Sequence, residues 1–408
     1  MRLRAFFAAI VLLPLLACLP PISREAGPPE KPVLFQEIEL ISPLTDDADR
    51  SSLRAAVERS LAYLALKNSA GDSRSTQPGP LGDLFTPEKT HRSLTLFHEI
   101  LLSASDEDDF EKKMRENFTF WEATKEGQKK PFLLTGYYEP IMEGNTEPGG
   151  EYLYPIYRRP DDLVELTSGG LFVQEWEKKQ IVRIENGQAI PYYSRREIDC
   201  QGVLQGRGYE LAWLKSAWER FVLHVQGSGQ IRLPDGKTLR VGFAASNGRP
   251  YRGIGRVLVE RGFLDENELS LRRVKEFLQQ NPERVEETLN ANERYIFFRF
   301  FSGKEGPIGA LGFPLTPGRS VATDRAIFPP GGLAYLIAQR PVFDEAGRLK
   351  GKMTLRRFVL NQDTGAAMKG PGRVDLFCGI GEEAGMAAGE MREAGKIYFL
   401  QAKSSGGK

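Results

Sequence analysis

The sequence predicts a mainly β protein with helices at its N-terminal end, an α+β chain built around a small barrel. Three observations carry this. Apolar residues recur at helical spacing through the N-terminal third, the pattern changes at Phe118 to short strand-like runs and turns, and from Ile308 onward short strands are joined by glycines and prolines. Short strands so punctuated suit a closed or curled sheet better than a doubly wound one.

Taken in order, Leu53, Val57, Leu61 and Leu64 repeat between charged positions and predict the first helix. Thr86-Pro87-Glu88 is a cap with proline in the first turn, opening a second helix with Leu94, Phe97, Ile100 and Leu101 on one side. His98 lies on that helix as a packed or surface residue. A third short helix fits 107–117. Strand-like runs follow at 132–138, 151–157 and 222–241, the last with an Asp235-Gly236 hairpin turn. Ser194-Arg195-Arg196-Glu197 is a capping box, so a helix interrupts the strands there. Residues 256–261 and 271–289 look helical. Toward the C-terminus, 321–323, 352–360, 373–377 and 397–400 are expected as strands, and 382–393 as a helix ending at Gly395.

The first residues point to a compartment. Arg2 and Arg4 precede an apolar run from Ala5 to Leu16, and Leu15-Leu16-Ala17-Cys18 puts a cysteine directly after a small residue. The run is shorter than the roughly 20 apolar residues of a spanning helix and reads as a secretory signal. Cys18 is then the candidate acylated first residue of a lipoprotein, the alternative being an ordinary signal cut after Ala17. Leu19, rather than an acidic residue, leans toward the outer membrane. Pro20, Pro21, Pro28, Pro29 and Pro32 form an extended, semi-rigid spacer suited to a tether. No later segment is long and apolar enough to span, so a soluble body on a lipid anchor is expected.

A net charge of +1 argues against capture of nucleic acid, which needs a basic face. His91, His98 and His224 show no metal-ligand spacing with each other or with cysteine, so no metal site is expected. Cys200 and Cys378 are too few for a disulfide framework; they either pair or stay free. Gly379-Ile380-Gly381-Glu382-Glu383-Ala384-Gly385 resembles a nucleotide-binding loop, but its last spacing is one residue too long and two glutamates would face the phosphates. No cofactor is expected.

Three aspartates near the C-terminus are the candidates for chemistry: Asp324, Asp363 and Asp375. Asp is depleted in strand interiors and rarely buried without a partner. A carboxylate between Val374 and Leu376 points away from the face those two share, into solvent or a cleft. Glycines at 370, 372, 379 and 381 would let a ligand approach the backbone there. From spacing alone, the reading of Asp375 as a surface strand residue is the favoured one. Tyr137 and Tyr138 offer flat faces and hydroxyls to a ligand; adjacent strand residues point opposite ways, so at most one is expected to face it. Thr135, Gln226, Ser228 and Asn247 are hydrogen-bonding residues among glycines, their alternative being turn chemistry. Lys369 either contacts a ligand or is solvated.

The runs from Gln362-Asp363-Thr364-Gly365 to Lys369-Gly370, Arg373-Val374-Asp375-Leu376-Phe377-Cys378-Gly379, and Ser320-Val321-Ala322-Thr323-Asp324-Arg325 resemble the three-aspartate domain of the membrane-bound lytic murein transglycosylase A family. The likeness extends upstream through Thr135-Gly136-Tyr137-Tyr138-Glu139-Pro140, Tyr154-Pro155-Ile156-Tyr157, Val225-Gln226-Gly227-Ser228-Gly229, Asn247-Gly248 and Tyr251-Arg252, in order over most of the chain after about residue 118. The resemblance implies a double-psi β-barrel domain carrying an inserted second β-rich domain, with a glycan-binding groove between them. The division implied is a signal at 1–17, a tether at 18–34, a catalytic domain at 35–139 plus 300–403 and an insert at 140–299.

It further implies cleavage of the β-1,4 bond between N-acetylmuramic acid and N-acetylglucosamine without water, leaving 1,6-anhydromuramoyl ends. Asp375 falls on the family's catalytic acid, with Asp363 and Asp324 as companions. Ordinary glycosidases need two carboxylates, about 5–5.5 Å apart for retention or roughly 6.5–9.5 Å for inversion; here one suffices, because the sugar's own 6-hydroxyl attacks. Asp324 is expected to be structural, accepting backbone bonds in a barrel turn. Implied partners are peptidoglycan glycan strands, the outer membrane through Cys18 on its periplasmic face, and, as candidates, other enzymes of cell-wall synthesis or hydrolysis. Two rivals share some features. An aspartic protease would use the Asp363-Thr364-Gly365 triplet but needs a second equivalent motif, and a non-enzymatic peptidoglycan-binding lipoprotein would need no Asp375.

Overall fold

The N-terminal helices form because each buries one stripe against the sheet that follows. The computed structural model describes residues 33–39, 43–69, 84–125, 131–166, 180–302 and 306–404; the signal segment, Cys18 and all but the end of the proline-rich spacer lie outside them. Strand β1 (Val33–Ile38) comes first, then α1 (Arg50–Ser69), α2 (Pro87–Ser103) and α3 (Glu107–Asn117), and β2 (Phe118–Lys125) returns antiparallel to β1. The Thr86 hydroxyl caps α2 by accepting from the Lys89 amide, and the Asp106 carboxylate caps α3 by accepting from Asp109. Leu53, Val57, Leu94, Phe97, Phe110 and Met114 face inward onto Tyr335, Phe358 and Tyr398.

β3 (Phe132–Glu139) then carries the chain across Pro140 into a second sheet. Its elements are β4 (Ile141–Asn145), β5 (Tyr154–Tyr157), a small ribbon of β6 (Val164–Leu166), β7 (Gln180–Glu185) and β8 (Gln188–Pro191), then α4 (Arg195–Asp199), β9 (Glu210–Leu214), α5 (Ala217–Gln226), β10 (Ser228–Arg232), β11 (Thr238–Ser246), α6 (Ile254–Glu260), α7 (Leu271–Gln280), α8 (Val285–Asn290) and β12 (Ile296–Phe300). The second sheet runs β12-β11-β10-β4-β9-β5, and a bridge between Arg158 and Phe298 brings its two ends together.

The chain returns through β13 (Ser320–Ala322), β14 (Leu333–Phe343), β15 (Leu349–Asp363), β16 (Arg373–Ile380), α9 (Glu382–Glu390) and β17 (Arg392–Ala402). Around the ring the order is β17-β14-β15-β13-β16-β3, and β3 pairs back onto β17, closing a six-stranded barrel. β13 lies parallel to β15 and β16 parallel to β3. Leu134, Val321, Leu336, Val359, Val374 and Phe399 fill the interior. The mainly β architecture with N-terminal helices is therefore as the sequence predicts.

Four local expectations give way. Residues 222–226 are helical, not strand: Ser216 caps α5, and Gly227, at φ 79°, ends it in the left-handed region that suits glycine. The helix expected over 271–289 breaks at Asn281-Pro282, where proline has no amide to donate. α9 stops at Glu390, because Arg392–Gly395 are taken up in pairing with β3. Of residues 151–157, only Tyr154–Tyr157 form a strand. β14 was not foreseen at all; Leu333–Leu336 are buried without alternation, which removes the period-two signal. Cys200 and Cys378 are both free thiols.

Arg319, fully buried just before β13, ties the helical segment to the barrel. Its guanidinium donates to the Asp46 carboxylate at 2.7 Å, to the Ser52 hydroxyl, and to the carbonyls of Asp49 and Phe358. Asp46 also accepts from the Phe358 amide at 2.9 Å. Arg319→Met should leave that carboxylate uncompensated and cost about 3–5 kcal/mol, the usual result of breaking one side of a buried pair. Urea denaturation should show the lower midpoint, and adding Asp46→Asn should restore part of it.

Candidate active site

The groove between barrel and second sheet has a volume of about 1110 Å³. Its floor is set by strand register. Parallel pairing of β3 with β16 puts Thr135 opposite Asp375 and Tyr137 opposite Phe377. On β13, Ala322 pairs with Asp375 on one side and with Asp363 on the other. Directly paired residues point to the same face, so the two aspartates stand on either side of one small residue, their backbones roughly 10 Å apart, two strand spacings. Val374 and Leu376 are buried in the core and Asp375 between them opens to the groove, which is the alternation the sequence predicts.

Asp375 Oδ1 accepts from the Thr135 hydroxyl. Burial pushes its carboxyl above the ordinary value of 3.8, while the Thr135 bond and the nearby Arg373 guanidinium pull it back. Asp363 is also raised, first by burial and further by the charge of Asp375. It is better supplied with donors: the Tyr137 hydroxyl at 2.9 Å on Oδ2, the Ala310 amide at 3.0 Å on Oδ1, and the Thr364 amide. Burial and the Asp363 charge keep the Tyr137 phenol neutral.

Asp324 is placed differently. Its two oxygens accept from the Ala326 and Gly370 amides at 3.0 and 2.8 Å, and it does not line the groove. That is the structural arrangement, joining the turn after β13 to the turn before β16. Both tyrosines line the groove, against the expectation of only one. Tyr137 faces Asp363, whereas Tyr138 packs toward the second sheet, and the groove spans both because β3 crosses from one body to the other here. Gln226 and Ser228 line it too, and Gln226 Oε1 accepts from the Tyr138 amide at 3.1 Å.

Three of the expected ligand contacts are not where they were expected. Asn247 is buried and fully used: its amide donates to the carbonyls of Tyr193 and Glu293, and its oxygen accepts from the amides of Arg249 and Tyr295. Lys369 is exposed and outside the lining, next to the Gly370 amide that Asp324 accepts from. Thr135 bonds Asp375 instead of lining the groove. Sequence reading missed Arg373 and Tyr251. Arg373 shares a face with Asp375 two positions on, a signal that was available. Tyr251 comes from the second body and lies within electrostatic reach of Asp375 and Arg373, a proximity no local pattern could show. Among the described residues no group of His, Cys, Asp or Glu is arranged to hold a metal ion.

A closed barrel presenting two half-buried carboxyls to a groove walled by a second β body defines a cleft enzyme. The profile of the MltA specific insert domain matches residues 133–299, and that of the 3D domain matches 319–401. The chain is 34% identical over 277 residues to the membrane-bound lytic murein transglycosylase A of Escherichia coli K12, covering 67% of each. Among solved structures it resembles a membrane-bound lytic murein transglycosylase from Agrobacterium tumefaciens (TM-score 0.72, 29% identity, 90% of this chain and 98% of that one). It also resembles E. coli MltA with bound chitohexaose (TM-score 0.66, 26% identity, 92% and 96%). The chain belongs to the membrane-bound lytic murein transglycosylase A family.

The raised Asp375 carboxyl has a stability consequence. A carboxyl whose pKa is raised by folding binds its proton more tightly folded than unfolded, so stability falls as pH rises from the ordinary carboxylate range through the raised value. Asp375→Asn removes that penalty. Thermal denaturation should therefore show the variant melting above the parent at pH 7, with the gap closing below the ordinary value of 3.8.

Proposed function

We propose that this enzyme is a lytic transglycosylase that binds peptidoglycan glycan strands in the groove. It would cleave the β-1,4 bond between N-acetylmuramic acid and N-acetylglucosamine without water. The observation carrying this is the inequality of the two carboxyls beside Ala322. Asp363 has three donors and is the better host for a negative charge, so the acid's role goes to Asp375, which burial raises and which has only the Thr135 hydroxyl as partner. Asp375 then has one hydrogen-bonding partner and an open side toward the groove, the arrangement a general acid needs.

Asp375 donates its proton to the glycosidic oxygen as the bond from that oxygen to C1 of the muramoyl residue breaks. Positive charge grows on the sugar ring, and the ionised Asp363 lowers its energy through the low-dielectric floor. The Asp375 carboxylate then takes the proton of the 6-hydroxyl as O6 attacks C1, closing the 1,6-anhydro ring. Asp375 is neutral again and no water is consumed. Thr135 fixes the acid's rotamer, and Tyr137 fixes Asp363. Tyr138, Gln226 and Ser228 line the path of the sugars. Asp324 acts through the Gly370 turn.

The same reading assigns 35–139 plus 300–403 to the catalytic domain, of double-psi type, and 140–299 to its insert. It also gives the chain membrane association, through a lipid on Cys18, on the periplasmic face of the outer membrane. Wall-synthesising or hydrolysing enzymes are candidate neighbours there.

Mass spectrometry of muropeptides released from purified sacculi tests the reaction and the residue together. The parent should give 1,6-anhydro ends, and Asp375→Asn should lose about 10²–10⁴ in rate, the range for a general acid–base group. Reducing ends would mean that water attacks and that Asp363 serves as the second carboxylate.

A further inference from the structure

The groove holds more positive charge than acid–base chemistry at its floor requires. Six arginines line it, at 195, 240, 294, 299, 325 and 373, against three acids, Glu139, Asp363 and Asp375. Three of the arginines have evident tasks. Arg240 pairs with the buried Glu139 at 3.0 Å. Arg195 is fully buried and donates to the carbonyls of Asn292 and Arg294 and to His224 Nδ1. Arg373 stands beside Asp375 and Tyr251.

Arg294, Arg299 and Arg325 have no carboxylate within ion-pair distance among the described residues. Arg294 is half-buried, burial depresses its guanidinium, and its side chain donates only a long 3.3 Å bond, to the Arg249 carbonyl. Leaving a partly desolvated cation unpaired is costly, so a ligand anion would relieve a deficit already present. Arg299, near the end of β12, lies 4.7 Å over the ring of Phe301, and both residues line the groove. Arg325 follows Asp324 on the barrel side and is exposed. The cations therefore come from both walls.

The sugars of a glycan strand are uncharged and need hydroxyl partners and flat apolar faces. In peptidoglycan the carboxylates hang from the sugars, on the stem peptides or, where a peptide is missing, on the bare lactyl group. Arginine is suited to carboxylates because its fork can bond both oxygens at once. We propose that Arg294, Arg299 and Arg325 form a carboxylate-binding subsite that grips the stem peptides, so that the enzyme prefers peptide-bearing over bare glycan. This rests on the groove being the glycan channel.

The test measures binding by the full chain in detergent, carrying Asp375→Asn to stop turnover. The ligands are a peptide-bearing strand fragment, the same fragment after an amidase has left free lactyl groups, and uncharged chitohexaose. Arg299→Gln with Arg325→Gln should weaken the first by about tenfold or more and the other two by no more than about twofold. Lysine at both positions should recover only part of the loss, because it restores the charge without the fork. Equal weakening of both carboxylate-bearing ligands would overturn the stem-peptide assignment in favour of the lactyl group. Equal weakening of all three, or of none, would overturn the subsite. Absence of glycan binding by the protein with its arginines intact would overturn the channel reading itself, and the subsite with it.

Discussion

The chemistry at the floor of the groove depends on the pairing of Ala322 with two aspartates at once. Its methyl group is small enough to leave open the space between the carboxyls. The pairing itself requires an irregularity. Between Val321 and Ala322 the register with β15 shifts by one, from Asn361 to Asp363, passing over Gln362. Without the shift Gln362 would stand opposite Ala322 and the Asp363 side chain would leave the row, since one residue of slip turns a side chain to the other face. Gln362 is held where it is. Its amide donates to the Ala56 carbonyl and the Ser60 hydroxyl of α1, and its oxygen accepts from Ser320. The N-terminal helix thus fixes the register that brings the two acids together, although it contributes nothing to the groove lining.

Once the acids flank Ala322 on the same face, electrostatics follows from burial and donor count. Both carboxyls are disfavoured as anions by the low-dielectric floor, and each would repel the other if both ionised. The donors are distributed unequally, and Tyr137 is central to that. Its ring packs at a tilt of 48° against Phe377, with centroids 5.3 Å apart, and its hydroxyl reaches Asp363. The ring packing and the acid's charge state are consequently coupled through one side chain. Arg373 and Tyr251 add charge and a neutral phenol nearby, the first from the barrel and the second from the other body. A site of this kind is a standing cost to stability, which barrel closure and the Arg319 clamp offset.

What could be read in the sequence was what depends on neighbours along the chain. The Ser194 capping box and the Thr86 cap were visible because their donors and acceptors lie three residues apart. So was the outward direction of Asp375 between Val374 and Leu376. Side chains whose partners are remote in sequence were not legible. Asn247 has the same type and glycine context as a ligand contact, but its bonds go to Tyr193, Glu293 and Tyr295, brought in by tertiary folding. Lys369 sits close to Asp375 in number but is exposed and outside the groove lining. Residues 222–226 read as a strand because most of them are apolar, but the Ser216 cap six residues upstream and Gly227 at the end make them the last part of a helix.

The groove exists only while the two bodies keep their relative position, and polar contacts set that position. At the front, β3 becomes β4 through Glu139, which is buried and bonded to Arg240 and to the Gln230 side chain at 2.8 Å. At the back, α7 meets α9 through Arg272 and Glu390 at 2.9 Å, and Arg392 reaches Glu266. The exposed rear pairs contribute little stability by themselves. The buried front pair is also no better for stability than a well-packed apolar substitute. What such pairs supply is a defined geometry, because an ion pair is satisfied over a narrow range of distances whereas an apolar contact can slide. Tyr251 and Arg294 from one body must meet Asp375 and Arg325 from the other across a channel of fixed width. Placing a buried charge at the crossing point makes that width a property of the fold.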